Sequence, residues 1–173
     1  HMLAETAARQ ADKHALRYRR ADILETISYG QMLDTVREIA GGLASLGLGR
    51  GDRVAILSDN RPEWTMTDFA VFHIRGVVVP VYTTLPANQV AYILGNANVQ
   101  AIFVDSKAQL DKVMAIKDEL PELKHILGFE PLGEDVTTLE TIRETIRTFP
   151  AAPGLYFIKD VDDKVLYICK EKN

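Results

Sequence analysis

Apolar residues along this chain recur with two periods, and the period changes at glycines, prolines and short polar clusters. Residues 3–10, LAETAARQ, put Leu3, Ala7 and Ala8 on one side of a short helix. His14–Arg20 then alternates Ala15 with Arg17 and Leu16 with Tyr18, the pattern of a half-exposed strand. Ala21-Asp22 turns the chain and residues 23–27 return, so 15–27 reads as a β-hairpin. Met32, Leu33, Val36, Ile39, Ala40, Leu43 and Leu46 recur at three and four, which predicts an amphipathic helix over 29–46 capped by Ser28. Gly41-Gly42 would weaken an exposed helix, so the pair predicts close packing against a neighbour.

The centre of the chain changes period fastest. Residues 54–57 form an apolar run long enough for a buried strand and too short for a helix. Ser58, Asp59 and Asn60 are competent to cap, and Pro62 and Glu63 suit a first helical turn. Trp64, Phe69, Phe72 and His73 follow at helical spacing, Gly76 stops the helix, and 77–82 is a second β-branched run. Strand, helix and strand at this spacing make a βαβ unit with parallel strands. The pattern continues as a helix over Ala87–Asn96 with Val90, Ala91, Ile93 and Leu94 buried, then a strand over Ala101–Val104. Asp105 and Ser106 cap a helix over 107–120 that Pro121 breaks, and 124–129 is the last strand of the series. The predicted fold class is α/β: a mainly parallel, doubly wound sheet of βαβ units with an N-terminal and a C-terminal β-hairpin.

Three local features invite a chemical reading. Residues 47–52, GLGRGD, are glycine-rich, but they close a helix and precede a strand. Phosphate-binding glycines follow a strand and open a helix, so a helix stop with a tight turn is preferred. Thr83 and Thr84 lie beyond the carboxyl end of a strand, where open α/β sheets bind ligands; capping of the next helix is the preferred role. Asp59, Arg61, Glu63 and His73 show no nucleophile–base pairing. A solvated helix end accounts for the first three, and a packed or surface histidine for the fourth.

Composition narrows the function classes. The chain has 173 residues and a net charge of −4, which gives no overall electrostatic reason for nucleic-acid or membrane binding. No apolar run approaches the length of a membrane span. Cys169 is the single cysteine, so neither an internal disulfide nor a cysteine metal cluster forms, and a reducing, cytoplasmic setting fits. The four histidines are scattered, without metal-binding spacing. His1-Met2 reads as a cloning remnant rather than a targeting signal.

The stretches ISYGQMLDTVREIAGGLASLGLGRGDRVAILSDNRPEW, GVVVPVYTTLPANQVAYIL and AIFVDS resemble, in order, the amino-terminal part of AMP-forming acyl-CoA synthetases. The resemblance is to the long-chain fatty acid–CoA ligases in particular, over about residues 3–140. It implies the fold of the family's first α/β subdomain. It also implies a parent activity with ATP, Mg and CoA, in which a carboxylate is adenylated and then transferred to the thiol. Holding a triphosphate requires a glycine- and hydroxyl-rich loop with a lysine after a strand, and no such run occurs in this sequence. The expectation is a truncated, catalytically inactive piece of such a ligase, with no cofactor bound by this chain and no functional catalytic, cofactor-binding or metal residue.

Residues 136–148 carry a helix pattern, and Pro153-Gly154 is a turn signal. Leu155–Lys159 and residues 164–169 are two β runs joined by the acidic turn DVDD. About residues 149–173 resemble the first hairpin of the GIY-YIG nuclease domain of UvrC, with Gly154-Leu155-Tyr156 and Tyr167-Ile168-Cys169 as the two triplets. The resemblance makes Tyr156 and Tyr167 vestigial catalytic positions. Cys169 stands where the family has glycine, and no later Arg or Glu follows to hold phosphate and metal. A plain hairpin is preferred to DNA cleavage, and nucleic acid is not an expected partner. The expected organisation is a synthetase-like subdomain over 1–140 and a helix plus hairpin over 141–173 packed on the same domain. Self-association through an exposed sheet edge or uncovered apolar face is the expected partnership.

Overall fold

A computed structural model describes residues 2–147 in full and, beyond them, the backbone of two strands, Leu155–Lys159 and Val165–Lys170. Its centre is β3, Arg53–Leu57, in which every residue after Arg53 is buried. Flanking it are β4 (Val77–Val81) and β5 (Ala101–Val104), followed outward by β6 (His125–Gly128) and β7 (Thr137–Thr138). The order is β4-β3-β5-β6-β7, with every pair parallel.

The continuous apolar run of β3 follows from its position. Val54 and Ile56 point into one core, Ala55 and Leu57 into another, so both faces of the strand are dry. On the first face lie α1 (Met2–Gln10), α2 (Tyr29–Ser45), α3 (Pro62–His73) and α6 (Leu139–Arg147). On the second lie α4 (Ala87–Asn96) and α5 (Lys107–Met114). The chain leaves β3 towards β4 through α3 and returns past it to β5 through α4. Crossovers of one hand must then change face, as these do. The doubly wound α/β reading therefore holds.

Ser28 caps α2 with a full capping box, its side chain accepting from Gln31 N–H while the Gln31 side chain accepts from Ser28 N–H. The expected close packing at Gly41-Gly42 is found, and the neighbour is α6. A Cβ on Gly41 would lie 2.7 Å from Ile146 Cγ1, and one on Gly42 only 2.5 Å from the Ile142 carbonyl oxygen. Glu38 of α2 accepts from Arg143 at 2.8 Å and from Arg147 at 2.9 Å, so ion pairs flank this contact. The glycines after α2 act as a helix stop. Gly47 takes a φ of 84°, and Leu48 N–H returns to Leu43 O at 3.1 Å.

The N-terminal hairpin pairs β1 (His14–Arg20) with β2 (Ile23–Ser28) in antiparallel register, its inner face packed on the first core through Leu16 and Ile27. The C-terminal hairpin, β8 (Leu155–Lys159) and β9 (Val165–Lys170), forms a separate two-stranded sheet. Pro153-Gly154, the acidic turn and the lysine at 164 lie outside the described residues.

Several local expectations are corrected. The buried face of α3 is Met66, Thr67, Ala70 and Val71, whereas Phe72 is 58 % exposed. Smaller side chains let the helix close on the sheet, and the aromatics fall to its margin. The residue in the left-handed region after α3 is Arg75, at φ 62°, rather than Gly76. The helix expected over 107–120 ends at Met114, and a separate 3-10 turn follows at Lys117–Glu119. The helix expected from 136 begins at Leu139, because Thr137 and Thr138 pair with Leu127 and Gly128 as an edge strand. Thr138 Oγ1 then accepts from Thr141 N–H at 3.1 Å and opens the helix.

Candidate functional site

In a sheet of this order the chain reverses direction between β3 and β5. The crevice beyond the carboxyl ends of those two strands is where doubly wound folds place ligands. Here the two loops meet. Asp59 N–H, after β3, donates to Asp105 Oδ2, after β5, at 2.7 Å. Thr83, after β4, donates its hydroxyl to Asp59 Oδ1 at 2.7 Å. Lys112 of α5 fixes the same region by donating to Thr83 O and Leu85 O, both at 2.8 Å. Three loops are thus tied across the reversal point by the chain's own carboxylates and carbonyls.

A second cluster fastens the loop after β6. Arg61 donates to Glu63 at 2.9 Å and to Glu130 at 2.7 Å. Its guanidinium lies 5.4 Å from the centroid of Phe129, whose ring stacks on Phe103 at 5.3 Å. Gly128 makes this possible, since a Cβ there would stand 2.4 Å from the Glu130 carbonyl oxygen. Glu63 also meets Arg20 of the hairpin at 3.4 Å. Partial burial pushes the Glu63 carboxyl up, but hydrogen bonding from Arg61 and the backbone outweighs it, so the group sits below its ordinary value. Arg61, likewise penalised by burial, is held above its ordinary value by Glu63 and Glu130.

Between β1 and the start of α3 lies an open cleft of about 470 Å³, walled by Tyr18, Arg20, Asn60, Arg61 and Trp64. Part of its charge is matched, while Arg17 and Arg19, which also line it, make no ion pair among the described residues. Arg20 and Arg61 share Glu63, and Tyr18 donates to Glu25 across the hairpin.

The arrangement revises the roles read from sequence. Arg61 and Glu63 are not a solvated helix end, because their side chains are only 20 % and 18 % exposed and pair with each other. The N-cap of α3 is Arg61 and no side chain bonds there; Ser58 Oγ donates to Asp59 O instead. Thr83 and Thr84 do not cap the next helix either. The N-cap of α4 is Pro86, without a side-chain bond, and Thr83 serves the loop network. His73 lies at the far end of α3 with its surface open to solvent; partial desolvation by its neighbours, and then the positive charge of Arg37, lower its pKa. The glycine turn 47–51 sits before β3, at the edge of the sheet away from these loops. Tyr156 pairs with Cys169 and Tyr167 with Ile158 in the β8–β9 register; their side chains lie outside the described residues. Sequence reasoning missed Lys112, Phe129 and Glu130. The signal it had was a charged residue directly after a strand, which at Glu130 carries no period.

Among the described residues no group of three His, Cys, Asp or Glu side chains is placed to hold a metal ion. No helix there is long and apolar enough to cross a membrane. The chemistry on view at the carboxyl edge is mutual neutralisation, which positions loops.

The chain is similar to long-chain-fatty-acid–CoA ligase ACSBG1 of Rattus norvegicus, 33 % identical over 153 residues, covering 88 % of this chain and 21 % of the relative. It is also similar to long-chain-fatty-acid–CoA ligase ACSBG2 of Xenopus laevis, 33 % identical over 144 residues, covering 83 % and 20 %. The chain therefore spans about a fifth of the length of these relatives. Among solved structures, an anthranilate CoA ligase, AuaEII, in complex with anthranoyl-AMP shares the fold. Its TM-score is 0.75 at 22 % identity, covering 83 % of this chain and 27 % of that one. A family model described as AMP-binding enzyme matches residues 3–161, through the whole of β8, and the chain belongs to the AMP-binding enzyme family.

Proposed function

We propose that this chain is the first α/β subdomain of a fatty acid–CoA ligase and that, as the 173-residue chain, it turns over no substrate. The whole protein's reaction in this reading is ATP-dependent adenylation of a long-chain carboxylate followed by thioester formation with CoA. The similarity to the two long-chain ligases supports the substrate class. The observation that carries the scaffold role is the closed reversal point, where Thr83, Asp59 and Asp105 bond one another across the crevice a nucleotide would need. The donor set does not suit a magnesium–triphosphate. The carboxylates there are engaged, and two cations of the neighbouring elements, Arg61 and Lys112, are held by Glu130, Glu63 and backbone carbonyls. Pyrophosphate release measured with ATP, Mg and a long-chain fatty acid tests the reading. No release is expected, and release above a heat-denatured control overturns it.

The organisation we favour keeps a synthetase-like unit over 1–140 with the helix and hairpin of 141–173 packed upon it. The likeness of 149–173 to the UvrC hairpin rests on the two triplets and an antiparallel pairing of the expected kind. The family match through residue 161 weighs against a foreign segment. DNA nicking with divalent metal is expected to be absent, with or without Tyr156→Phe. Exposed Val77 and Tyr82 at the ends of edge strand β4 support self-association along that edge. Pro80 in the same strand lacks an N–H, so association there would bury side chains rather than extend the sheet. Light scattering at high concentration should show a dimer mass, and a clean monomer rejects the idea. A cytoplasmic setting is part of the same reading, on the strength of the lone Cys169.

A further inference from the structure

Helix α3 is apolar on more sides than the sheet covers. Its buried face is Met66, Thr67, Ala70 and Val71. Trp64, Asp68 and Phe72 follow one another at a spacing of four, so they form a stripe turned away from that face. From Trp64 to Phe72, Asp68 is the only charged residue. An amphipathic surface helix places charge on its outer side, and a helix apolar all round is normally covered. Here Trp64 and Phe69 are half-buried, and Phe72 stands out into solvent. The cleft beside β1 opens at the first turn of the same stripe, because Pro62, Trp64 and Thr65 line it together with Tyr18 and Arg20.

One helix thus carries a projecting ring and a recess. Trp64 and Phe72 are about 12 Å apart along the axis, and Asp68 lies midway. A knob and a hole on either side of a midpoint complement their own copy, turned about a twofold axis through that midpoint. The cleft, about 470 Å³, admits a phenyl ring. Trp64 and Tyr18 offer it aromatic walls, and the Arg20 guanidinium, 5.7 Å from the Tyr18 centroid, suits the face of a ring. Asp68 meets its own copy in this arrangement. It has no hydrogen-bond or ionic partner among the described residues, and partial burial raises its pKa. The charged groups bordering α3 are engaged elsewhere. On the hairpin Arg20 holds Glu63 and Tyr18 holds Glu25; on α2 Arg37 pairs with Asp34, and Glu38 with Arg143 and Arg147. His73 adjoins Phe72, and desolvation and then Arg37 lower its pKa.

We propose that two copies of this chain pair through antiparallel α3 helices, with Phe72 of each copy seated in the cleft of the other and the two Asp68 carboxyls facing across the twofold axis. The pairing takes up a proton. Two carboxylates at the axis repel, whereas a carboxylic acid and a carboxylate share a hydrogen bond. The dimer therefore binds more protons than two separate copies, and it strengthens as pH falls from neutral towards about pH 5. The surface is small. Twelve residues of helix span about 18 Å, and even with the hairpin beside it α3 falls short of the roughly 800 Å² per partner of a standard interface. A weak, reversible dimer is the product. It is separate from the association along β4 proposed above, and it rests on neither nucleotide nor acyl substrate.

Sedimentation equilibrium of the 173-residue chain at high concentration, near pH 5 and at neutral pH, tests it. Dimer should form near pH 5 and be weaker at neutral pH by about fivefold to tenfold, the effect of two like charges close together at a wet interface. Phe72→Ala should weaken the dimer by about tenfold or more, with an unchanged thermal melt because the ring is exposed. Asp68→Asn should dimerise at neutral pH as the parent chain does near pH 5, and lose the pH dependence although His73 is still present. Val77→Ser/Tyr82→Ser, which alters only the edge of β4, should keep the pH-dependent dimer. As a second measure, Asp68→Cys in a Cys169→Ser chain should form a disulfide-linked dimer with oxidised glutathione, since a residue on a twofold axis meets itself. A monomer near pH 5, a dimer undiminished in Phe72→Ala, or pH dependence that survives in Asp68→Asn overturns the proposal. Loss of the dimer in Val77→Ser/Tyr82→Ser overturns it too, and assigns the association to β4.

Discussion

Gly41 and Gly42 are neighbours on α2, and the packing of α6 makes opposite demands on them. Both gain about 1 kcal/mol of helix propensity on substitution by alanine. At Gly41 the added methyl meets Ile146 Cγ1 at 2.7 Å and Cδ1 at 2.8 Å, the movable end of a half-buried side chain. A rotamer change relieves that contact, so Gly41→Ala should be neutral to within about 0.5 kcal/mol. At Gly42 the methyl meets Ile142 O at 2.5 Å, its carbonyl carbon at 2.8 Å and its Cβ at 2.8 Å. These are backbone-fixed atoms, and relief requires α6 to move away, uncovering Leu139 and Ile142, now 4 % and 3 % exposed. Overpacking of this kind costs about 3 kcal/mol, and subtracting the propensity gain leaves a net loss of about 2 kcal/mol. In a chain of this length that lowers Tm by about 4–8 °C. Differential scanning calorimetry of the two single variants is the assay. Limited proteolysis should show α6 released first in Gly42→Ala. Equal melting of the two variants, or a more stable Gly42→Ala, would refute backbone contact as the reason for the glycine.

Arg75 occupies the left-handed region at φ 62°, so Arg75→Gly should raise stability by about 1 kcal/mol in denaturant melts. Thr67 is fully buried and its hydroxyl has no hydrogen-bond partner, so the isosteric Thr67→Val should stabilise by about 1 kcal/mol, read the same way. Acid should act through Glu38 and Glu63. Burial pushes both carboxyls up, but Arg147 and Arg143 at Glu38, and Arg61 at Glu63, outweigh it and hold them below the ordinary 4.5. The unfolded chain then binds the extra protons. Their stabilisation is complete above about pH 4.5 and is lost as pH falls through the lower folded values. Tm against pH should therefore drop below that point, and the drop should be shallower in Glu38→Gln.

The two periods in the sequence were enough to place β3, β4, β5 and most helices, because a strand buried on both faces must be apolar throughout and an amphipathic helix must repeat its stripe. Ser28 and the Gly41-Gly42 pair were readable for the same reason: each meets a local backbone requirement that few residues satisfy. The misreadings share a cause. Phe72 has the composition of a core residue, yet which side of α3 faces the sheet is set by how closely Ala70 and Val71 let it approach. Thr137-Thr138 became a strand because β6 offered an unpaired edge, and nothing in two threonines announces that.

The sequence by itself determined the fold class, the family and the glycine stop after α2, all of which rest on spacing within short stretches. The tertiary structure alone decided what Arg61, Glu63, Thr83 and Glu130 do. Arg61 and Glu130 are far apart in the chain and become partners at 2.7 Å only when β3 and β6 lie in one sheet. Charge–charge pairing depends on distance in space, and no period along a chain encodes the distance between residues that the fold has yet to bring together.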